Sequence, residues 1–337
     1  PKTVTMPKNT FPKNPGEPSL PVTPEGPPSF SGLPLYLRGL FTVLCLAAAS
    51  YSCQPTQKKD TAAEENWVAL FNGRDLSGWD IKISGHPLNE NYQNTFVAED
   101  SMIRIRYDEY ETFGDAFGHM YYKEPYSYYK LRFDYRFLGE QLEGGATWNV
   151  RNSGIMLHSQ PASSNEIGQD FPVSIELQLL GGLGAGERTT ANVCTPGTAV
   201  VLKDTVNYNH CIPSGSATYH GDQWVRGEAV VLGGEAMYFI IEGDTVLQFQ
   251  HPQVGGGFIT DRDGVSDWEQ FGVERDREKW LAQSGKILDS GFIALQAESH
   301  PIDFKNIALL NLCGCMDPNA KNYKSYYVKD DPKTCIY

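Results

Sequence analysis

Two polar side chains alternate with apolar ones in the segment FPVSIELQLLGG, which spans residues 171–182. In an extended strand, Glu176 and Gln178 lie on one face, while Ile175 and Leu177 lie on the other. An apolar opposite face is typical of a strand that packs on a core. We therefore expect the polar face to line a cleft, with a carboxylate beside an amide. An edge strand with its polar face in water is the alternative.

A second alternation occurs in the segment LQAESH, where Gln296, Glu298 and His300 are spaced two residues apart. This spacing places the three side chains on one face until the strand ends near Pro301. A solvated outer face is the alternative. His158 ends the segment RNSGIMLH and is a further candidate acid or base.

These carboxylates do not form the usual glycosidase pair on one strand. Retaining glycosidases need two carboxyl groups about 5–5.5 Å apart. Glu176 is followed by Gln178 and then by Leu180 and Gly181, so its own strand lacks a second carboxylate. A group from another strand, such as Glu298, would have to supply it, which weighs against an ordinary glycosidase.

Charge and composition exclude several classes of protein. The net charge of the 337 residues is −13, which disfavours nucleic acid as a partner. No stretch of about 20 apolar residues is long enough to span a membrane. The chain also lacks the glycine-rich fingerprint of a dinucleotide site, so we expect no nucleotide cofactor.

The N-terminal region has the composition of a targeting segment. Residues 1–38 are rich in proline and serine and are predicted to be disordered. Residues 39–53 resemble a bacterial lipoprotein signal in which Cys53 is lipidated, although Tyr51 and Ser52 fit it loosely. An ordinary signal peptide cleaved nearby is the alternative. We expect a lipid-anchored protein of the cell envelope, in the periplasm or on the outer surface, with residues 54–65 as a charged linker.

About ten strand-like runs follow at regular spacing, which predicts an all-β sandwich of two sheets. The clearest is Tyr128–Phe137, where apolar and charged residues alternate strictly. The segment Val265–Ser284 is charged, with spaced apolar residues, and is predicted to be a helical insertion.

Six ordered segments resemble the 3-keto-disaccharide hydrolase domain family, whose members are mostly exported bacterial proteins: LFNGRDLSGW (70–79), RNSGIMLHSQ (151–160), VSIELQLLGG (173–182), NVCTPGT (192–198), TYHGDQWV (218–225) and GFIALQAESHPIDFKNIALLNL (291–312). The resemblance implies a concanavalin A-like jelly-roll sandwich over residues 66–312. It also implies action on glycosides whose sugar ring carries a ketone at carbon 3.

A ketone at carbon 3 acidifies the hydrogen on carbon 2, so a site needs one base, one group for the enolate oxygen and one acid for the leaving oxygen. The catalytic residues are predicted to be Glu176, His158 and Glu298. A divalent metal that acts as a Lewis acid is an alternative to the group that stabilises the enolate oxygen. A separate sugar 3-dehydrogenase would act upstream. The predicted substrate-binding residues are Arg151, Asn152, Gln178, His220, Gln296, His300 and the sugar-stacking Trp148. For His220, the alternative is a structural role in a turn.

Five cysteines follow Cys53, and in an exported protein they are disulfide candidates. Cys194 and Cys211 flank one loop and are expected to pair. The segment 313–337 resembles a small disulfide-closed module found at the ends of secreted bacterial proteins. Its bridge joins Cys335 to Cys315 or, alternatively, to Cys313.

A non-catalytic carbohydrate-binding module on the cell surface is the alternative function, because lectin-like sandwiches serve both purposes. Glu176 and His158 discriminate the two. A binding module tolerates their conversion to glutamine with loss of affinity at most, whereas an enzyme loses turnover.

Overall fold

The computed structural model describes residues 65–256 and 272–337. The predicted disordered segment, the signal and Cys53 lie outside these ranges. The described part contains one α-helix, α1 (Arg277–Leu281), and 19 strands: β1 (Val68–Ala69), β2 (Trp79–Ile83), β3 (Phe96–Glu99), β4 (Met102–Ile105), β5 (Gly118–Tyr122), β6 (Tyr128–Phe137), β7 (Asn152–Ser159), β8 (Ile175–Leu180), β9 (Asn192–Cys194), β10 (Thr198–Leu202), β11 (Thr205–Asn207), β12 (Cys211–Ile212), β13 (Val225–Leu232), β14 (Ala236–Ile241), β15 (Asp244–Val254), β16 (Phe292–Ala297), β17 (Ile302–Asn311), β18 (Cys313–Gly314) and β19 (Lys329–Asp330). Four short 3-10 turns lie at Tyr92–Asn94, Thr147–Asn149, Ala162–Ser164 and Pro332–Thr334.

Seventeen of these strands form two facing antiparallel sheets, and β18 and β19 form a separate parallel pair. The ten-stranded sheet has the order β11-β10-β15-β14-β13-β6-β17-β4-β3, with β1 also paired to β17. The seven-stranded sheet has the order β12-β9-β8-β7-β16-β5-β2. Neighbours in these sheets are often distant in sequence, as expected for a jelly roll. The predicted all-β jelly-roll sandwich is confirmed.

Side-chain alternation explains how the two sheets enclose one core. In β6, Leu131, Phe133 and Tyr135 are almost fully buried, while the charged residues between them are partly exposed. In the facing sheet, Ile155 of β7 and Leu177 of β8 join the same apolar cluster. Asn152 of β7 and Glu176 and Gln178 of β8, which alternate with these core residues, therefore lie on the outer face of the seven-stranded sheet.

The predicted helical insertion is only partly within the described residues. Its described part holds α1, which is five residues long. Trp280 packs there with Val173, Val254 and Val273 in a small satellite core. The helix is thus much shorter than the predicted segment, whose first residues, including Trp268, lie outside the described ranges.

Two disulfides are present. Cys194 of β9 is bonded to Cys211 of β12, directly opposite in the sheet register. Cys315 is bonded to Cys335 and closes the C-terminal tail, while Cys313 is a free thiol. Within the described ranges, no helix has both the length and the apolar composition needed to span a membrane.

Candidate active site

A cleft of about 640 Å³ opens on the outer face of the seven-stranded sheet. Strands β7, β8 and β9 contribute to its floor, and loops that precede or follow strands of the same sheet contribute to its walls. Its lining residues are Asp115, Phe117, Ala146, Trp148, Asn152, Asp170, Phe171, Glu176, Gln178, Leu180, Arg188, Cys194, His210, Cys211 and Glu298.

Glu176 is held in the middle of this sheet. It pairs in register with Met156 on one side and with Cys194 on the other. Its side chain lies over Gly154, where a Cβ atom would come within 2.5 Å of Glu176 Oε1. Only 4% of Glu176 is exposed. The polar face of FPVSIELQLLGG therefore lines a cleft, and the glutamate is sheltered from bulk water.

Glu298 supplies a second carboxyl group to the same cleft. It follows the last residue of β16, which pairs with β7, and it is 2% exposed. Within the described ranges, its Oε2 has no hydrogen-bond partner. The second carboxylate that is missing from the Glu176 strand thus comes from a different strand, the possibility that the sequence left open.

The two carboxyl groups influence each other's ionisation. Burial raises the pKa of Glu176. Burial also raises the pKa of Glu298, and the negative charge of Glu176 raises it further, against the opposing charge of Arg188. The pair therefore keeps a proton at a pH where exposed glutamates have lost theirs. One acid and one base in a single cleft is an arrangement suited to proton transfer.

Amides lie beside the carboxyl groups. Gln178 Oε1 accepts a hydrogen bond of 3.0 Å from Asn192 Nδ2. Asn152 donates through Nδ2 to the carbonyl oxygen of Trp148 at 3.3 Å, and its buried Oδ1 has no partner among the described residues. Two of the three predicted substrate-binding amides, Gln178 and Asn152, therefore line the cleft.

Trp148 stands at the mouth of the cleft with 54% of its surface exposed. Its ring is parallel to that of Phe117 within 8°, with centroids 6.1 Å apart. An exposed, supported ring of this kind suits stacking against the apolar face of a sugar.

Gln296 is fully buried, and neither atom of its amide has a hydrogen-bond partner among the described residues. It lies opposite His119 in the register of β16 and β5. His119 Nε2 is also buried without a partner in that part of the chain. Burial, and then the positive charge of Lys82, lower the pKa of His119 to about 3, so its imidazole is neutral. Neither residue lines the cleft itself.

His158, which is predicted from the sequence to be catalytic, is not among the residues that line the cleft. The register between β7 and β16 shifts just before Ser159, and His158 has a φ of 49°. This bulge turns the ring inward, against Tyr129 of the opposite sheet. Nε2 donates to the carbonyl oxygen of Gly233 at 3.1 Å. Burial lowers the pKa of His158 to about 4.

Besides Gln296, three further predicted substrate-binding residues do not line the cleft. Arg151 pairs with Asp222 at 2.6 Å. His220 Nδ1 accepts a hydrogen bond of 3.1 Å from the backbone nitrogen of Gly184. This contact holds the loop that contains Gly184. The His300 ring contacts Phe137, and burial followed by the charge of Arg151 lowers its pKa to about 4.

Sequence reasoning missed other residues that the fold brings to the site. Arg188 lies in the loop between β8 and β9, where no periodicity marks it. Asp170 lines the opposite end and accepts a hydrogen bond of 2.7 Å from Ser84 Oγ. Burial raises its pKa to about 6.

Within the described ranges, no group of three or more His, Cys, Asp or Glu side chains is placed to hold a metal ion.

A jelly-roll sandwich with paired carboxyl groups and an exposed aromatic ring in one cleft defines a carbohydrate-active protein of the glycosidase type. The chain belongs to the 3-keto-alpha-glucoside-1,2-lyase-like domain family, which it matches over residues 66–310.

Solved structures with a similar fold are distant in sequence. A putative glycosyl hydrolase from Parabacteroides distasonis is 18% identical, with a TM-score of 0.41, over 73% of this chain and 94% of that one. A Bacillus subtilis protein of unknown function with a galectin-like fold is 11% identical, with a TM-score of 0.44, over 73% and 94%. A β-glucanase from Bacillus licheniformis is 10% identical, with a TM-score of 0.38, over 73% and 97%. Nothing about the substrate follows from these similarities. No curated protein matches the chain significantly.

Proposed function

We propose that this protein cleaves glycosides whose sugar ring carries a ketone at carbon 3. The observation that carries the proposal is the convergence of Glu176 and Glu298 in one cleft, both with raised pKa. Membership of the 3-keto-alpha-glucoside-1,2-lyase-like domain family supports the same substrate class.

The carboxyl pair suits an elimination followed by hydration. One carboxyl group of this pair is ionised while the other keeps its proton, and we assign the base to Glu176 and the acid to Glu298. Glu176 then removes the proton on carbon 2 and leaves an enolate. The bond from carbon 1 to the glycosidic oxygen breaks as the enolate collapses, and Glu298 gives its proton to that oxygen.

Hydration returns both groups to their starting states. Glu298, now ionised, takes a proton from the water that attacks carbon 1. Glu176 returns its proton to carbon 2. The products are the free 3-keto sugar and the released alcohol, and no oxidant or reductant is consumed. A separate oxidation at carbon 3 must supply the substrate.

Trp148, Gln178 and Asn152 would bind the sugar ring. The ring of Trp148 offers an apolar face at the cleft mouth, while the two amides offer donors and acceptors for hydroxyl groups. The lipid anchor on Cys53 and the cell-envelope location remain part of the proposal, and labelling cells with a radioactive fatty acid would test them.

A product assay tests the proposed reaction. The purified chain is incubated with a 3-keto-disaccharide and with the unoxidised parent sugar, each with and without EDTA. We expect release of the 3-keto sugar from the oxidised substrate only. Loss of this activity in EDTA would show that a metal takes part.

Two other outcomes would replace the proposal. Cleavage of the parent sugar would establish an ordinary two-carboxylate glycosidase, which the presence of Glu298 makes geometrically accessible. Binding of both sugars without cleavage would establish a carbohydrate-binding module. Glu176→Gln then discriminates further, since it abolishes turnover in an enzyme and at most weakens binding in a module.

A further inference from the structure

Arg188 is a fixed cation in the wall of the cleft. Its Nη1 donates to three carbonyl oxygens, those of Val150 at 2.8 Å, Arg151 at 3.3 Å and Gly181 at 2.7 Å. Its backbone nitrogen donates to Thr218 Oγ1 at 2.7 Å. Because these contacts join the start of β7 to the end of β8, the guanidinium is held in place before any ligand arrives.

The charges around the cleft make Arg188 distinctive. The described lining includes four carboxyl groups, those of Asp115, Asp170, Glu176 and Glu298. Arg188 is the one Lys or Arg residue of this described lining. Its charge acts on Glu298, whose pKa it lowers against the larger effects of burial and of Glu176. Arg188 is therefore close enough to the carboxyl pair to act on charge that develops there.

The proposed reaction moves negative charge from the base to the substrate. When Glu176 takes the proton from carbon 2, the carboxylate becomes neutral and the charge passes to the oxygen on carbon 3. Buried carboxyl groups repel that charge, whereas a preorganised guanidinium attracts it. We propose that Arg188 is a catalytic residue that binds the oxygen on carbon 3 and stabilises the enolate. This role rests on the function proposed above.

If Arg188 had a purely structural role, its loss would affect folding but not the formation of the enolate. The reason is that its hydrogen bonds between strand ends do not change the acidity of the substrate. Exchange of the carbon 2 hydrogen with deuterated water reports enolate formation directly and does not require cleavage. Arg188→Gln is compared with Arg188→Lys, which keeps the charge, and with Arg226→Gln. Arg226 is half-exposed on the opposite sheet beside Glu228 and serves as the control.

For folded Arg188→Gln we expect exchange and kcat to fall together by about 100- to 1000-fold. Arg188→Lys should recover part of that loss, and Arg226→Gln should match the wild type. Wild-type exchange in folded Arg188→Gln would overturn the inference while leaving the proposed function intact. If Arg188→Gln does not fold, Arg188→Lys decides the question: lowered exchange with unchanged KM supports the role, and wild-type exchange overturns it. Absence of both exchange and cleavage in the wild type would instead remove the proposed function and the inference with it.

Discussion

Gly154 on β7 and Glu176 on β8 are interlocked across two neighbouring strands. A Cβ atom at Gly154 would lie 2.5 Å from Oε1, 2.7 Å from Cγ and 2.9 Å from Cδ of Glu176. The carboxylate therefore occupies the space that any larger residue at position 154 would fill. This explains a glycine within a buried strand, where its conformational freedom is a cost.

Gly154→Ala is expected to displace the Glu176 carboxylate and lower kcat by about 100-fold, the loss typical of a 1 Å error in placement. The fold should tolerate it, since the contacted atoms belong to a side chain that can rotate. The control is Gly215→Ala, whose new methyl group meets only the carbonyl oxygen of Val246 at 3.6 Å. Steady-state kinetics and thermal unfolding are measured on both. Full activity in folded Gly154→Ala would show that the position of Glu176 is unimportant.

The buried carboxyl pair should make the protein less stable as the pH rises. The pKa of Glu176 and that of Glu298 are both raised in the folded state above the ordinary value of 4.5. The folded chain therefore binds protons more tightly than the unfolded chain. The stability that these two groups contribute is fully present below their ordinary pKa of 4.5. It is lost as the pH rises through their raised pKa values in the folded chain. Each extra proton bound by the folded chain corresponds to a slope of about 1.4 kcal/mol per pH unit.

Glu176→Gln and Glu298→Gln should each flatten this decline, because each removes one buried group that must ionise. Exposed Glu140→Gln is the matched control and should run parallel to the wild type. Urea unfolding between pH 5 and pH 9 measures the slopes. Equal slopes in all four proteins would mean that neither carboxyl group is titrating from a buried position.

Much of this fold is predictable because its strands carry a strict period of two. Tyr128–Phe137 was predicted from alternation, and β6 has the same bounds. Glu176 and Gln178 were placed on a cleft face by the same argument. Glu298 was named as a carboxylate from another strand, and both carboxyl groups do line one cleft.

The failures share one physical origin, which is irregular backbone. His158 fits the period-two alternation of the β7 sequence, but a one-residue register shift turns its ring to the inner face of the sheet. Arg188 lies in a loop without periodicity, so nothing in the sequence connects it with Glu298. The segment predicted as a long helix contains only the five residues of α1 in its described part, held by the burial of Trp280.

His158 should matter for stability and not for catalysis. His158→Ala removes the hydrogen bond to the carbonyl oxygen of Gly233 and the ring contact with Tyr129, which leaves a buried acceptor unpaired. We expect a lower free energy of unfolding, by about 1–3 kcal/mol, and an unchanged kcat in the folded protein. His158→Gln, which keeps a donor, should recover part of the stability. A large loss of kcat with unchanged stability would restore the catalytic role predicted from the sequence.

Trp148 should contribute to binding of the sugar and little to the chemical step. Trp148→Ala removes an exposed ring whose only aromatic neighbour in the described part is Phe117, so the fold should be unaffected. We expect KM to rise by up to about 10-fold, the equivalent of one aromatic contact, with kcat nearly unchanged. Trp67→Ala is the control, since Trp67 stacks on Arg132 of the opposite sheet. An unchanged KM would exclude Trp148 from the sugar site.

The disulfide between Cys194 and Cys211 should affect activity and stability together. It closes a loop with a sequence separation of 17 residues, worth about 3 kcal/mol in the chain-entropy account. Both cysteines line the cleft, and Cys194 pairs in register with Glu176. Replacing both cysteines by serine should lower the free energy of unfolding by about 2–4 kcal/mol. It should also raise KM, because no covalent bond then holds these two lining residues together.

The matched control is the double serine variant of Cys315 and Cys335, which has a separation of 20 residues and therefore a similar entropic effect. That bridge lies in the C-terminal tail and does not line the cleft, so its loss should leave kcat and KM unchanged. Denaturant unfolding and kinetics on both variants separate the two contributions. If both variants lost activity to the same extent, the effect would come from general destabilisation, and the Cys194–Cys211 bridge would have no specific role in shaping the cleft.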